Sequence, residues 1–170
     1  MVLRHLILVD EQSQKDRLER IRKSLENDGI QVVYEEINPN DCSRRLENGD
    51  LRFDKDALKN RLQSIPFMSH LDIFATDYNL IEDELKGIDL IEMLYELLPY
   101  YRGQVVVYSA QIEDVINNII TKRAVSFEQQ IAMLKLLAQN EINYLSSEGE
   151  FENKIKHLII KEPELTIDSR

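Results

Sequence analysis

A chain of 170 residues with a formal net charge of −10, 43% hydrophobic and 31% charged residues has the balance of a globular protein and the length for one domain with a full core. The acid excess argues against a general nucleic-acid binder, whose affinity comes mainly from Lys and Arg; no stretch approaches the roughly 18 apolar residues of a bilayer span, and no apolar block with a cleavage site follows Met1, so a cytoplasmic protein with no nucleic-acid or membrane partner is expected. Cys42 is the single cysteine, which excludes an internal disulfide and a cysteine-based metal motif.

In chain order, "HLILVDE" is an apolar strand running straight into Asp10 and Glu11. Ser13 with Asp16 has the spacing of a capping box, Leu18, Ile21 and Leu25 recur at helical period, and Gly29 stops the pattern, so Gln14 to about Asn27 reads as a helix. "QVVYEEI" is the second strand, and strand, helix, strand implies a right-handed parallel crossover. In "LENGDLRF" the Asn48-Gly49 pair marks a small hairpin, and "DKDALKNRLQSI" is a helix opened by an Asp cap. Arg44, Arg45, Arg52, Lys55, Lys59 and Arg61 gather here among acids, the pattern of a solvated mixed face. "LDIFATDYNL" is a third strand closed by Asp77, "IDLIEMLYELL" a helix ended by Pro99, and "QVVVYS" a strand covered on both faces and ending at Ser109. "IEDVINNIITK" and "SFEQQIAMLKLLAQ" read as helices, the latter opened by the Ser126 and Gln129 capping pair, then "EINYL" as a fifth strand and "FENKIKHLII" as a closing helix.

Buried, unalternating strands alternating with helices specify an α/β fold with a parallel sheet, and such sheets bind ligands beyond the carboxyl ends of their strands. Asp10 and Glu11 at one strand end, Asp77 at another and Ser109 at a third are therefore the candidate site. Crowded carboxylates repel, and a hard cation such as Mg²⁺ relieves that repulsion while leaving water positions open for a phosphate.

"LILVDE", "LDIFATDYNL", "GIDLIEML", "VVVYSA" and "INYL", in that order, resemble the receiver domains of bacterial two-component response regulators. The resemblance implies a flavodoxin-like, CheY-like doubly wound sheet of five parallel strands in order 2-1-3-4-5. It implies one receiver-like domain over residues 1–160, with helical insertions near 41–65 and 112–140 and a polar tail at 161–170. It further implies Asp77 as phosphoacceptor, Glu11 as direct Mg²⁺ ligand, Asp10 acting through water or hydrogen bonds, and the backbone carbonyl of Asn79 completing the metal sphere. Ser109 would contact the phosphoryl group and Tyr144 would be the switch aromatic. The implied partners are a histidine kinase or phosphotransfer protein and a downstream protein reached by surface contact.

Three departures stand out. Ser147 and Glu148 occupy the positions of the family's strand-5 lysine and following proline, Ile81 occupies that of a loop proline, and the segments between strands 2 and 3 and between strands 4 and 5 are long. A pseudo-receiver that keeps the fold without phosphorylation is the alternative. An α/β Mg²⁺ phosphatase fits worst, since such enzymes place a second Asp where Asn79 stands; the chain is expected to be no enzyme beyond self-phosphotransfer onto Asp77.

Overall fold

A computed structural model describes residues 1–81, 84–109, 116–117, 120–121, 126–138, 142–145 and 148–161. Its main sheet is built from β1 (Val2–Val9), β2 (Ile30–Ile37), β5 (Ile73–Asp77), β8 (Gln104–Tyr108) and β9 (Ile142–Leu145), ordered β2-β1-β5-β8-β9. Every pairing in it is parallel. Counting only these strands, the order is 2-1-3-4-5, the doubly wound topology that the resemblance implies; the apolar strand pattern by itself implies a parallel sheet.

Helices close both faces. α1 (Lys15–Glu26) and α5 (Glu148–Ile160) lie on one, where Leu6 and Leu8 of β1 meet Leu18, Ile21, Phe151 and Ile155. The neighbouring β1 residues Ile7 and Val9 point the other way, into a core with Leu58 and Leu62 of α2 (Lys55–Gln63) and Leu90 and Leu94 of α3 (Gly87–Leu97). Successive strand side chains alternate between faces, so a strand covered on both sides must be apolar throughout. α4 (Phe127–Ala138) adds Leu134 to the edge of the second core.

Local signals set most element ends. Asp54 caps α2 by accepting from the backbone N–H groups of Asp56 (3.0 Å) and Ala57 (3.2 Å). Ser126 and Gln129 form a reciprocal capping box at α4, with bonds of 3.1 and 3.2 Å. The expected box at Ser13 and Asp16 is absent. Instead Glu36, near the end of β2, accepts from the Gln14 backbone N–H and from the Ser13 hydroxyl (3.2 Å), so a neighbouring strand supplies the anion at the start of α1.

The stretch 41–65, expected as added helix, divides in two. β3 (Ser43–Arg45) and β4 (Leu51–Phe53) form an antiparallel hairpin around Gly49, whose φ of +88° is one that glycine adopts without strain. α2 then belongs to the β2-to-β5 crossover itself, because Leu58 and Leu62 are fully buried in the core beneath the sheet. Only the hairpin is extra. Within 112–140, α4 and the helical residues 116–117 and 120–121 are described; the rest of that stretch, Ser147 and the tail from 162 lie outside the described residues. Among the described residues no helix is long and apolar enough to cross a membrane.

Candidate functional site

β1 and β5 lie side by side with Val9 opposite Thr76, so Asp10 and Asp77, the next residues, stand in neighbouring positions at one edge of the sheet. The order of strands reverses there, with β2 on one side of β1 and β5 on the other, and doubly wound sheets hold ligands at that reversal. Asp77 is in turn level with Tyr108 of β8, and Ser109 follows as a buried residue. The three segments named from the sequence thus converge.

Asp10 is only 3% exposed. Its Oδ1 accepts from the Gln12 backbone N–H (2.8 Å), and its Oδ2 accepts from Gln14 Nε2 (3.2 Å) and from the Tyr108 hydroxyl (2.5 Å). These donors are all neutral. Glu11 is partly exposed, and Asn38 Nδ2 holds its backbone carbonyl at 3.2 Å. The Glu11 carboxylate itself makes no hydrogen bond among the described residues.

Asp77 is half-buried, and its Oδ1 accepts from the Asn79 backbone N–H at a long 3.4 Å. Its pKa is pushed up from 3.8 to about 7, first by desolvation and next by the charge of Asp10, with Glu11 adding to the same effect. The backbone N–H groups of Asn79 and Tyr78 oppose the shift without cancelling it. No cation stands among the strongest influences on this carboxyl. At neutral pH the site therefore holds negative charge that a positive ligand would relieve.

The loop after Asp77 is held by a structure not foreseen from the sequence. β6 (Asn79–Ile81) and β7 (Leu85–Lys86) pair antiparallel, and Leu80 and Leu85 are buried beneath them. Ile81, where the resemblance leads one to expect a proline, packs against the core. Apolar anchoring thus fixes a loop that lacks the proline. Lys86 bridges the hairpin by donating from Nζ to Asn79 Oδ1 at 3.2 Å. Gly87 then starts α3 against the acidic loop, where an added Cβ would meet the Asp77 carbonyl oxygen at 2.6 Å and Tyr78 Cα at 2.9 Å. No other residue type fits without moving the backbone.

Among the described residues, no three His, Cys, Asp or Glu side chains form a group that would hold a metal ion. Both oxygens of Asp10 accept from protein donors. Glu11, Asp77 and the Asn79 carbonyl are the oxygens that would hold Mg²⁺, an ion that binds through one or two carboxylates and keeps several waters. Tyr144 lies in β9 opposite Val107, next to the sheet position facing Tyr108.

Sequence reading missed Tyr108, Gln14, Glu36 and Gly87. Tyr108 sits inside an apolar run and reads as sheet filler, since nothing local shows that its hydroxyl meets a carboxylate 98 residues away. Gly87 did carry a signal, a glycine directly before a helical repeat.

No protein-family model matches the chain, and no curated protein sequence matches it. Among solved structures, the chain is similar to a response regulator receiver domain protein from Clostridium thermocellum, with 15% identity over 92% of this chain and 90% of that one at a TM-score of 0.45. It is also similar to a CheY-like response regulator receiver domain protein from Methanospirillum hungatei JF-1, with 14% identity over 92% and 94% of the two chains and a TM-score of 0.44. An adenylate cyclase from Rhodopirellula baltica is similar at 13% identity over 93% and 88% of the chains, with a TM-score of 0.47.

Proposed function

We propose that the chain is a receiver-type signalling domain that accepts a phosphoryl group on Asp77 and passes the signal on by protein contact. The observation that carries this reading is the state of Asp77, a half-buried carboxyl pushed up to about 7 by desolvation and by the neighbouring charges of Asp10 and Glu11. Carboxylates crowded in this way cost stability, and a site that binds a cation and a phosphoryl group has a use for the arrangement.

In the proposed reaction an Asp77 carboxylate oxygen attacks the phosphorus of a phosphohistidine on a kinase or phosphotransfer protein. An O–P bond forms, the P–N bond breaks, and the electron pair returns to the imidazole nitrogen, which takes up a proton. Mg²⁺ bound by Glu11, Asp77 and the Asn79 carbonyl would neutralise charge on the transferring group. Asp10 stays in its hydrogen bonds beside it, and buried Ser109 lies at the next strand end. The chain modifies itself and turns over no separate substrate.

Intact-mass measurement after incubation with Mg²⁺ and a small phosphodonor tests this. Wild type should gain one phosphoryl group that alkaline hydroxylamine removes, and Asp77→Asn should gain none. One observation favours the second reading, a pseudo-receiver that binds partners without phosphorylation: the Asp10 carboxylate already accepts from Gln12, Gln14 and Tyr108. No mass gain in wild type, with partner binding unchanged in Asp77→Asn, selects that reading.

A further inference from the structure

The end of β8 reaches across β5 to the acid at the end of β1. Tyr108 donates from its hydroxyl to Asp10 Oδ2 at 2.5 Å, the shortest bond that Asp10 makes. Its ring packs edge-on against Phe151 of α5, with centroids 5.0 Å apart and planes at 68°. Phe151 is 2% exposed, and the Arg17 guanidinium of α1 lies 5.9 Å from its ring centroid. Packing thus leaves the Tyr108 ring little freedom, and its hydroxyl is a fixed donor aimed at one carboxylate oxygen.

We infer that Tyr108 is a positioning residue for the acidic edge: its hydroxyl engages Asp10 Oδ2 and holds that carboxylate in place, which keeps Asp10 from taking a direct place on a cation bound by Glu11 and Asp77. This rests on the metal-binding reading proposed above. A neutral hydroxyl here orients the carboxylate and strengthens its hydrogen bonding without cancelling its charge. Removing the hydroxyl leaves a buried carboxylate short of one donor. The metal-free protein then suffers more than the metal-bound one, so the cation should bind more tightly.

The experiment is calorimetric titration of Mg²⁺ alone into the full chain as wild type, Tyr108→Phe and Asp77→Asn, with thermal melts of each protein with and without Mg²⁺. Tyr108→Phe should bind Mg²⁺ about three- to tenfold more tightly than wild type, and Mg²⁺ should raise its melting temperature more than it raises that of wild type. A merely structural hydroxyl would lower both melts equally and leave the affinity unchanged. Unchanged or weaker binding by folded Tyr108→Phe overturns the inference while leaving the metal site standing. Binding that Asp77→Asn does not diminish, or no binding by wild type, overturns both.

If Tyr108→Phe does not fold, wild type labelled with ¹³C at the tyrosine ζ carbon supplies the readout. The Tyr108 signal should shift on adding Mg²⁺, because the field of the nearby cation then falls on the carboxylate that its hydroxyl faces. A Tyr108 signal that stays still while Mg²⁺ binds refutes the positioning role.

Discussion

Asp10 at the end of β1 and Asp77 at the end of β5 are the same residue type on adjacent strands, yet the protein provides for them in opposite ways. Asp10 is almost fully buried and receives three hydrogen bonds. Asp77 is more open, has a long bond from Asn79, and bears the repulsion of its neighbours in a carboxyl pushed up to about 7. The β1 end is a satisfied acid held in place; the β5 end is an acid left in want of a positive partner. Burial alone therefore does not decide how far a carboxylate's charge is opposed, because the supply of donors matters as much.

The largest effect expected of this contrast is on stability in metal-free buffer. Asp77 has an ordinary value of 3.8 and a folded value of about 7, so between them the folded chain holds a proton that the unfolded chain has released. The stability tied to this group is present at low pH and is lost as pH rises toward the folded value. Asp77→Asn cannot suffer that loss. It should be more stable than wild type by about 2–4 kcal/mol at pH 8, with the gap closing toward about pH 4, as read by urea denaturation at both pH values. An equal gap at the two would mean that charge does not burden the β5 end.

Next in size is Gly87→Ala. Its Cβ would meet the Asp77 carbonyl oxygen at 2.6 Å, a backbone atom that cannot turn aside as a side chain would. A loss of about 1–3 kcal/mol is expected, with the Asp77 titration by NMR displaced from its wild-type midpoint. A neutral substitution would show that the β5 end is not held by this close approach.

Glu36→Ala probes the β1 end, where the Glu36 carboxylate receives Gln14 N–H and Ser13 Oγ. The start of α1 should loosen at a cost of about 1 kcal/mol, with faster amide exchange over Gln14 to Arg17. Protection that stays the same would place the control of this loop elsewhere. Glu11→Gln should have the smallest effect. Glu11 acts on Asp77 less than desolvation and Asp10 do, so the Asp77 midpoint should fall slightly; a rise would contradict the repulsion.

Much of this was written locally in the sequence. The runs ending at Val9 and at Thr76-Asp77 carry apolar residues on both faces of a strand, and an acid directly after such a run must lie at the sheet's edge. Asp54, and Ser126 with Gln129, announced their helices because a cap bonds to backbone only a few residues away. The loop from Asn79 to Lys86 was less legible, since its strands are short and its anchors, Leu80 and Leu85, show their burial only against the assembled core.

The sequence by itself determined the element types, their alternation and the placing of acids at strand ends, because hydrophobic period and capping act within a few residues. Tertiary structure decided how each acid is provided for. Glu36 displaced the Ser13 cap because β2 brings a full carboxylate to the start of α1. Tyr108 became the donor to Asp10 because β5 sets β8 one strand away from β1, within reach of a phenol but not of a shorter side chain. A hydrogen bond between residues 98 positions apart has no local signal, and its existence depends on strand order and register alone.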